Sequence, residues 1–414
     1  MLLLDTSTGR FASVDQEVLA CFEQAAGTWA PQLYEAGFLA DSAAACIAAQ
    51  HALFAQQRAD RSVLRLSLAP TYACNCRCPY CYESDKAAPR VFMSEQVEQA
   101  VYHFVEERYA QDGFTTLELE WYGGDPQLCL DVVARMAAWM QEFCVARGVA
   151  FDCSMLSNCT RIGPNEARII AQAGVSSVLI TVDGPEQQHN YRRPTVEGGN
   201  PYAQVKAAIG YLADAGVLCN VICNCDKVNL PLVPQLQEDL DSLGVSVTPV
   251  KLNDYGHFFG KNRFCKPAFD LFTHEEFHRA CHDLMKAQGQ LNAPMLSALL
   301  QPGTRFCNGQ RNNYFNIDNI GDVYACDGRM GDARYALFNL MDGSEPVLDA
   351  VSFDPCEDPQ CAACALLPLC WGNCRWEREE CGMPCHPLKT CGTEYLTDFA
   401  ACFPTPTQPF QLLV

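Results

Sequence analysis

The stretch that decides the reading is Leu66-Ser67-Leu68-Ala69-Pro70-Thr71-Tyr72-Ala73-Cys74-Asn75-Cys76-Arg77-Cys78-Pro79-Tyr80-Cys81-Tyr82-Glu83. Just upstream, Val63 and Leu64 join Leu66 and Leu68 in an alternating apolar run that Pro70 ends, which predicts a buried strand feeding a short loop. In that loop Cys74, Cys78 and Cys81 stand as CxxxCxxC, with Tyr80 before the last thiol. Three thiolates this close can wrap one face of a four-iron cube and leave the remaining iron open to another ligand. On spacing alone a zinc knuckle or three ordinary buried thiols stay open as alternatives, because cysteine is common in this chain, and Cys76 fits no motif position.

Outward from that loop, the same rhythm repeats. β-like runs fall at 63–72, 117–124, 151–158, 177–184, 218–225 and 246–252, separated by segments such as Glu95 to Tyr109 and Asp131 to Arg147 with apolar residues at three and four spacing. Six β-α units predict an α/β chain with a partial (β/α)6 TIM-like barrel, whose chemistry sits on the loops after the strands. The polar motifs fall there. Trp121-Tyr122-Gly123-Gly124-Asp125-Pro126 closes the second run, where two glycines allow close backbone approach and a carboxylate suits an amine. Ser157-Asn158-Cys159 closes the third, and Thr181 and Asp183 end the fourth with Arg193 beyond it, hydroxyl and carboxylate partners by type. A strand-terminating turn explains Asp183-Gly184 equally well. The fifth run gives Asn224-Cys225-Asp226-Lys227-Val228-Asn229, for which the residues alone offer no role.

The C-terminal third carries a second cysteine constellation. Cys307 is followed by Gly321 and Cys326, then Cys361, Cys364, Cys370 and Cys374 in the spacing CxxCxxxxxCxxxC, then Cys381, Cys385 and Cys391. A zinc site needs about four of these thiols and two cubic clusters about eight, so their number favours clusters. Thr273-His274-Glu275-Glu276-Phe277-His278 contains HExxH, a zinc-peptidase spacing. Thr273 with Glu276 is also a capping box, the motif opens a helix, and no third ligand is evident, so it is read as a helix start. At the N-terminus, Leu2 to Asp5 and Arg10 to Val14 flank a turn, Asp15 caps a helix, a second helix ends near Gly37, and Asp41 opens a third to about Ala59.

Composition bounds what such a chain does. At 414 residues, with 49% apolar and 19% charged, it has material for a sizeable core in two or more domains. No apolar run reaches the roughly 18 residues of a membrane span, and no basic-then-apolar segment opens the chain, so a cytoplasmic protein is expected. There, 26 cysteines argue for clusters or metal over a disulfide framework. A net charge of −20 repels phosphate backbones and speaks against nucleic acid as a partner.

On these motifs the chain resembles the radical S-adenosylmethionine enzymes, and its cysteine-rich third is similar to their SPASM auxiliary-cluster extension, as found in maturases of ribosomally made peptides. The resemblance implies a cluster on Cys74, Cys78 and Cys81 whose open iron chelates S-adenosylmethionine. It implies cofactor contacts from Tyr80, Gly123, Gly124, Asp125, Asn158, Thr181, Asp183 and Arg193, with Asp125 one methylene shorter than the family's Glu and Cys159 in place of its Gly. It further implies a distal auxiliary cluster on Cys361, Cys364, Cys370 and Cys385, with Cys391 in reserve. A proximal one would lie on Cys307, Cys326 and Cys374, with an open fourth position or Cys265, Cys281 or Cys356 completing it. Three 4Fe-4S clusters result.

Asp327 takes the place of a residue that removes a proton in the sulfatase-maturing branch. The implied domains are a winged-helix-like module at 1–60 that can hold a leader peptide, the barrel at 61–289 and the Cys-rich cluster-binding domain at 290–414. The implied activity is reductive cleavage to a 5′-deoxyadenosyl radical, hydrogen abstraction from a precursor peptide and formation of a thioether or carbon-carbon cross-link, with flavodoxin or ferredoxin as reductant. The alternatives are oxidation of Ser or Cys to formylglycine in a sulfatase, or an iron-sulfur protein serving only electron transfer.

Overall fold

The computed structural model describes residues 2–25, 27–85, 91–253, 269–292, 294, 300–302, 307–343, 354–374, 385, 388–402 and 408–412. The chain forms two compact units, each assembled from separated stretches: Met1–Arg58 with Thr273–Gln310 and Ser352–Val414, and Ala59–Phe272 with Arg311–Val351.

In the unit that contains the N-terminus, β1 (Leu2–Asp5) and β2 (Arg10–Val14) form the expected hairpin, in register from Leu2↔Ser13 to Asp5↔Arg10. Asp15 caps α1 (Gln16–Gln24) by accepting from the Val18 amide at 2.9 Å. Helices α2 (Ala30–Glu35) and α3 (Ala43–Ala59) follow. A third strand, β12 (Phe410–Leu412), pairs with β2 through Phe410↔Val14 and completes a sheet of order β1-β2-β12. Phe11 packs on Phe399 of the final helix, Leu388–Ala401, at 4.4 Å. The N-terminal residues therefore share a core with the C-terminal ones, and each such buried aromatic contributes roughly 1.5–3 kcal/mol. The HExxH segment opens helix α10 (His274–Ala287) with a capping box, Thr273 N to Glu276 Oε2 at 2.8 Å and Glu276 N to Thr273 Oγ1 at 3.2 Å.

The other unit is built on a nine-stranded, mostly parallel sheet. Its centre is the six expected strands, β3 (Val63–Leu68), β4 (Thr116–Trp121), β5 (Ala150–Ser157), β6 (Ser177–Thr181), β7 (Leu218–Cys225) and β8 (Val247–Lys251), parallel and side by side in chain order. Helices α4 (Glu95–Asp112), α5 (Leu130–Arg147), α6 (Pro164–Gln172), α7 (Glu186–Arg192), α8 (Pro201–Asp214) and α9 (Val233–Leu240) lie in the connections. The unforeseen strands are β9 (Tyr314–Ile317), parallel to β3, and the antiparallel β10 (Asp322–Tyr324) and β11 (Ala336–Asn339) beyond it. The order β11-β10-β9-β3-β4-β5-β6-β7-β8 runs open from end to end, a partial barrel and not a closed one.

Alternation assigns the faces. Leu64, Leu66, Leu117, Leu119 and Trp121 are buried on the helix side, while Arg65, Ser67, Glu118 and Glu120 point the other way, to the inner face where the site lies.

Candidate functional site

The cysteine loop rests on the Gly-Gly turn. Gly123 has φ +104°, and a Cβ there would stand 2.5 Å from the Thr71 carbonyl; at Gly124 it would stand 2.3 Å from that of Ala73. The Gly124 amide donates to Thr71 O at 2.9 Å. Glycine is needed here because the backbone carrying the thiols lies against the turn.

Cys74 and Cys81 are half-buried, Cys76 and Cys78 buried, in an apolar setting with Tyr80 and Leu252 that Tyr82, Phe269 and Leu271 border. Cys76 has a place after all. It sits between Cys74 and Cys78 and hydrogen-bonds to both, which lowers the Cys74 thiol and brings Cys78 to about 7, with the Arg193 guanidinium adding to the latter. The thiol of Cys76 is correspondingly raised. Lowered thiols are the ones that ligate metal.

Beside the loop, three residues named from sequence meet. The Tyr80 hydroxyl donates to Asp183 Oδ2 and accepts from Arg193 Nη1 at 2.5 Å, and that guanidinium lies 3.8 Å from the same carboxylate. Asp183 Oδ1 accepts the Asn224 amide at 2.9 Å, and its own amide donates to His189 Nδ1 at 3.2 Å. That bond requires neutral His189, and burial pushes its pKa down to about 3. Thr181 ends β6, half-buried on the inner face.

Asp125 is engaged by the protein itself. Its Oδ1 accepts from Ser157 Oγ at 2.8 Å and the Gln127 amide at 3.1 Å, and its Oδ2 from the Asn158 amide at 2.8 Å. Burial nevertheless pushes its carboxyl up to about 6. Asn158 in turn accepts from Gln127 Nε2 at 2.7 Å and reaches Cys74 Sγ at 3.6 Å, so Asp125 positions Asn158 against the loop. Cys159 adopts φ +57°, the left-handed conformation that suits glycine.

Sequence reasoning missed the residues that hold this assembly. Arg192, 1% exposed, pairs with Asp226, 0% exposed, at 2.9 Å and donates to Asn224 O at 2.9 Å. Asp226 Oδ1 accepts the amides of Val228 and Asn229, and Asn229 Nδ2 donates to Asp183 O at 3.1 Å. The Arg192 guanidinium lies 5.6 Å from the Tyr80 ring centroid. The 224–229 run thus has a structural role: it fixes Asp183 and the ring of Tyr80.

The second constellation is distributed. Cys326 follows β10, its Sγ 3.6 Å from Asp327 Oδ1, and Asp327 lies near Glu120 of β4. Cys307 and Cys374 belong to the unit with the N-terminus. In that same unit Cys370 has Cys361, Cys364 and Cys385 as electrostatic neighbours, burial being the main cause that raises its thiol. The Lys389 ammonium, raised by the same Cys385 and Cys364, hydrogen-bonds Cys385. Cys391 instead is buried in the apolar core with Phe11, Leu369 and Phe399. Cys356 lies near Cys361, its thiol pushed up to about 12 chiefly by burial, and Cys281 is buried on α10. Cys265 and Cys381 fall outside the described residues.

Comparison with known proteins bears on this geometry. The model of the radical SAM superfamily matches residues 68–230. The mycofactocin maturase MftC of Mycolicibacterium smegmatis is 26% identical over 340 residues, 76% of this chain and 78% of that one. The cysteine-type anaerobic sulfatase-maturating enzyme of Clostridium perfringens is 24% identical over 336 residues, 73% of this chain and 86% of that one. Among solved structures, native anSMEcpe with bound AdoMet and Cp18Cys peptide superposes with a TM-score of 0.64 at 17% identity, covering 82% of this chain and 97% of that chain.

Proposed function

Since the chain carries a radical S-adenosylmethionine domain and is homologous to the mycofactocin maturases and the anaerobic sulfatase-maturating enzyme, we propose that it is a radical peptide maturase that installs a thioether or carbon-carbon cross-link in a precursor peptide. The domain implies S-adenosylmethionine and a four-iron cluster, and the cluster is assigned to Cys74, Cys78 and Cys81. Two lowered thiols in one loop suit it. When bound, these groups supply a 5′-deoxyadenosyl radical.

The remaining roles belong to the chain. Asp183 and Arg193, locked by Tyr80, offer an acceptor and a planar cation to the cofactor's hydroxyl and carboxylate groups. Gly123, Gly124, Asp125 and Asn158 hold the loop in shape, and Thr181 adds a hydroxyl on the inner face. Cys361, Cys364, Cys370 and Cys385 are assigned to one auxiliary cluster, and Cys307, Cys326 and Cys374 to another, which together accept the electron the substrate must lose. The N-terminal module at 1–60 is assigned to leader binding, 61–289 to the radical chemistry, 290–414 to the auxiliary clusters, and flavodoxin or ferredoxin to the reductant.

The observation that carries the maturase reading is the convergence of Cys361, Cys364, Cys370 and Cys385 with Lys389 outside the radical domain. A protein that only carried electrons has no use for the Tyr80, Asp183 and Arg193 site beside an open-iron loop. One observation favours a second reading, formylglycine formation: the Asp327 carboxylate beside Cys326 suits proton removal from a substrate carbon. Anaerobic incubation with candidate precursor peptides, followed by mass analysis, separates the readings. Loss of two hydrogens with one free thiol fewer indicates a thioether; the same loss at constant thiol count indicates a carbon-carbon bond. A hydrazine-reactive aldehyde indicates formylglycine, and an unchanged peptide with no 5′-deoxyadenosine sinks the proposal.

A further inference from the structure

We propose that the inner face of β3, β4 and β9 carries a subsite for a cationic side chain of the substrate, an ammonium or guanidinium, built from Glu120, Asn316 and Asp327. The inference rests on the reading of the substrate as a peptide and adds what that peptide must present.

The argument starts from two successive rungs of the β3–β4 ladder. On the lower rung Arg65 faces Glu118, and the guanidinium grips the carboxylate with Nε at 2.7 Å and Nη2 at 3.3 Å. On the next rung, nearer the strands' C-terminal ends, Ser67 faces Glu120. The serine reaches Glu120 only at 3.5 Å, the outer limit of a hydrogen bond. Among the described residues no lysine, arginine or histidine pairs with Glu120. Burial and the neighbouring Asp327 push its carboxyl up to about 7, as an interior carboxylate without a counter-charge must be.

Asn316 extends the row. It pairs with Ser67 across the β3–β9 ladder. Its predecessor Phe315 packs edge-on against Phe104 of α4 at 5.0 Å, so Asn316 turns to the opposite face, the one Ser67 and Glu120 share. Asn316 has no exposed surface; its Nδ2 donates to Tyr324 O at 3.1 Å, while among the described residues Oδ1 accepts no hydrogen bond. One rung above a satisfied Arg-carboxylate pair there is thus a set of acceptors with no donor cation among the described residues: the Glu120 carboxylate, the Asn316 carbonyl and the Asp327 carboxylate. Leaving such groups unpaired costs the free protein stability, which an entering N–H-rich cation returns. The lower rung demonstrates that a guanidinium fits this register.

The test titrates anaerobically reconstituted protein with agmatine and n-butylamine by calorimetry, at a pH above about 7 where Glu120 is ionised. Neutral 1-butanol and the chlorides of magnesium and calcium serve as comparisons. Both amines are expected to bind wild-type protein and 1-butanol not to. Glu120→Gln is expected to weaken the amines about tenfold or more, the worth of one charge-assisted hydrogen bond. Ser67→Arg, which supplies the missing cation from within as Arg65 does below, is expected to abolish binding. If Ser67→Arg does not fold, Glu120→Gln decides. Glu120→Gln is also expected to leave the melting temperature unchanged or higher, because it removes an unpaired interior charge. Amines that bind both proteins equally, binding by the metal ions alone, no binding at all, or a Glu120→Gln protein that melts lower each overturns the subsite. Release of 5′-deoxyadenosine by wild-type protein is scored separately, so the radical reading and this subsite can fail independently.

Discussion

Breaking the Arg192–Asp226 pair should cost far more than removing it whole. Both side chains are enclosed, 1% and 0% exposed, and the pair is 2.9 Å apart. Asp226→Ala leaves a guanidinium in a dry interior and strips the acceptor from two amides, Val228 N and Asn229 N, each at 3.0 Å. Loss of one partner of a buried pair costs about 3–5 kcal/mol, and Arg192→Met should fall in the same range because the Asp226 carboxyl then stays enclosed without its counter-charge. The double variant removes both charges and retains the loss at the two amides, about 1 kcal/mol each, while the Asn224 carbonyl that Arg192 leaves still accepts from Asn229 Nδ2 at 3.0 Å. Its cost should therefore be about 2 kcal/mol and not the sum of the singles, a coupling of several kcal/mol. The assay is urea unfolding of the reduced apoprotein followed by tryptophan fluorescence, for all four corners of the cycle. Additive losses, or single losses under about 1 kcal/mol, would refute the view that this pair clamps the 224–229 run onto Asp183.

Three further outcomes are expected. Burial and the neighbouring Asp327 push the Glu120 carboxyl up to about 7, above the ordinary glutamate range; a carboxyl raised in this way contributes stability that is fully present below its unfolded pKa and is lost as pH rises through the folded one. Relative to wild type, Glu120→Gln should thus gain about 3 kcal/mol between pH 4.5 and 8, read from denaturation midpoints across pH, and a flat difference would count against it. Gly124→Ala places a methyl 2.3 Å from the Ala73 carbonyl and should displace the cysteine loop, seen as lower iron uptake on anaerobic reconstitution; full uptake would mean the turn does not support the loop. Cys385→Ala should lower the iron content while Cys391→Ala leaves it intact and costs only packing, since Cys391 lies in the apolar core; the reverse pattern would exchange their roles.

How much of this was legible depends on where each signal resides. The six central strands were readable because each carries local alternation and ends in a polar motif, and the caps at Asp15 and Thr273 formed as their residue types require. Strands β9 and β12 are only three or four residues long and pair with strands remote in sequence, and β10 has three residues, too few for an alternation of its own, so no local pattern announces them. The motif position of Asp125 points toward a ligand, whereas the Ser157, Gln127 and Asn158 donors that occupy it become visible only when the loops meet. Arg192 and Arg193 are adjacent and alike on paper. The helix α7 that ends between them sends one to Asp226 and the other to Tyr80, a division set by backbone direction. Glu120 lay within a correctly read strand, but nothing in its neighbours tells that Ser67 and not an arginine would face it.

The central assignment is tested most directly by the products of S-adenosylmethionine. Protein reconstituted anaerobically with iron and sulfide and reduced with dithionite should release methionine and 5′-deoxyadenosine, and replacing Cys74, Cys78 and Cys81 together by Ala should abolish that release and remove one cluster's share of iron. Unchanged iron and undiminished 5′-deoxyadenosine in the triple variant would contradict the account.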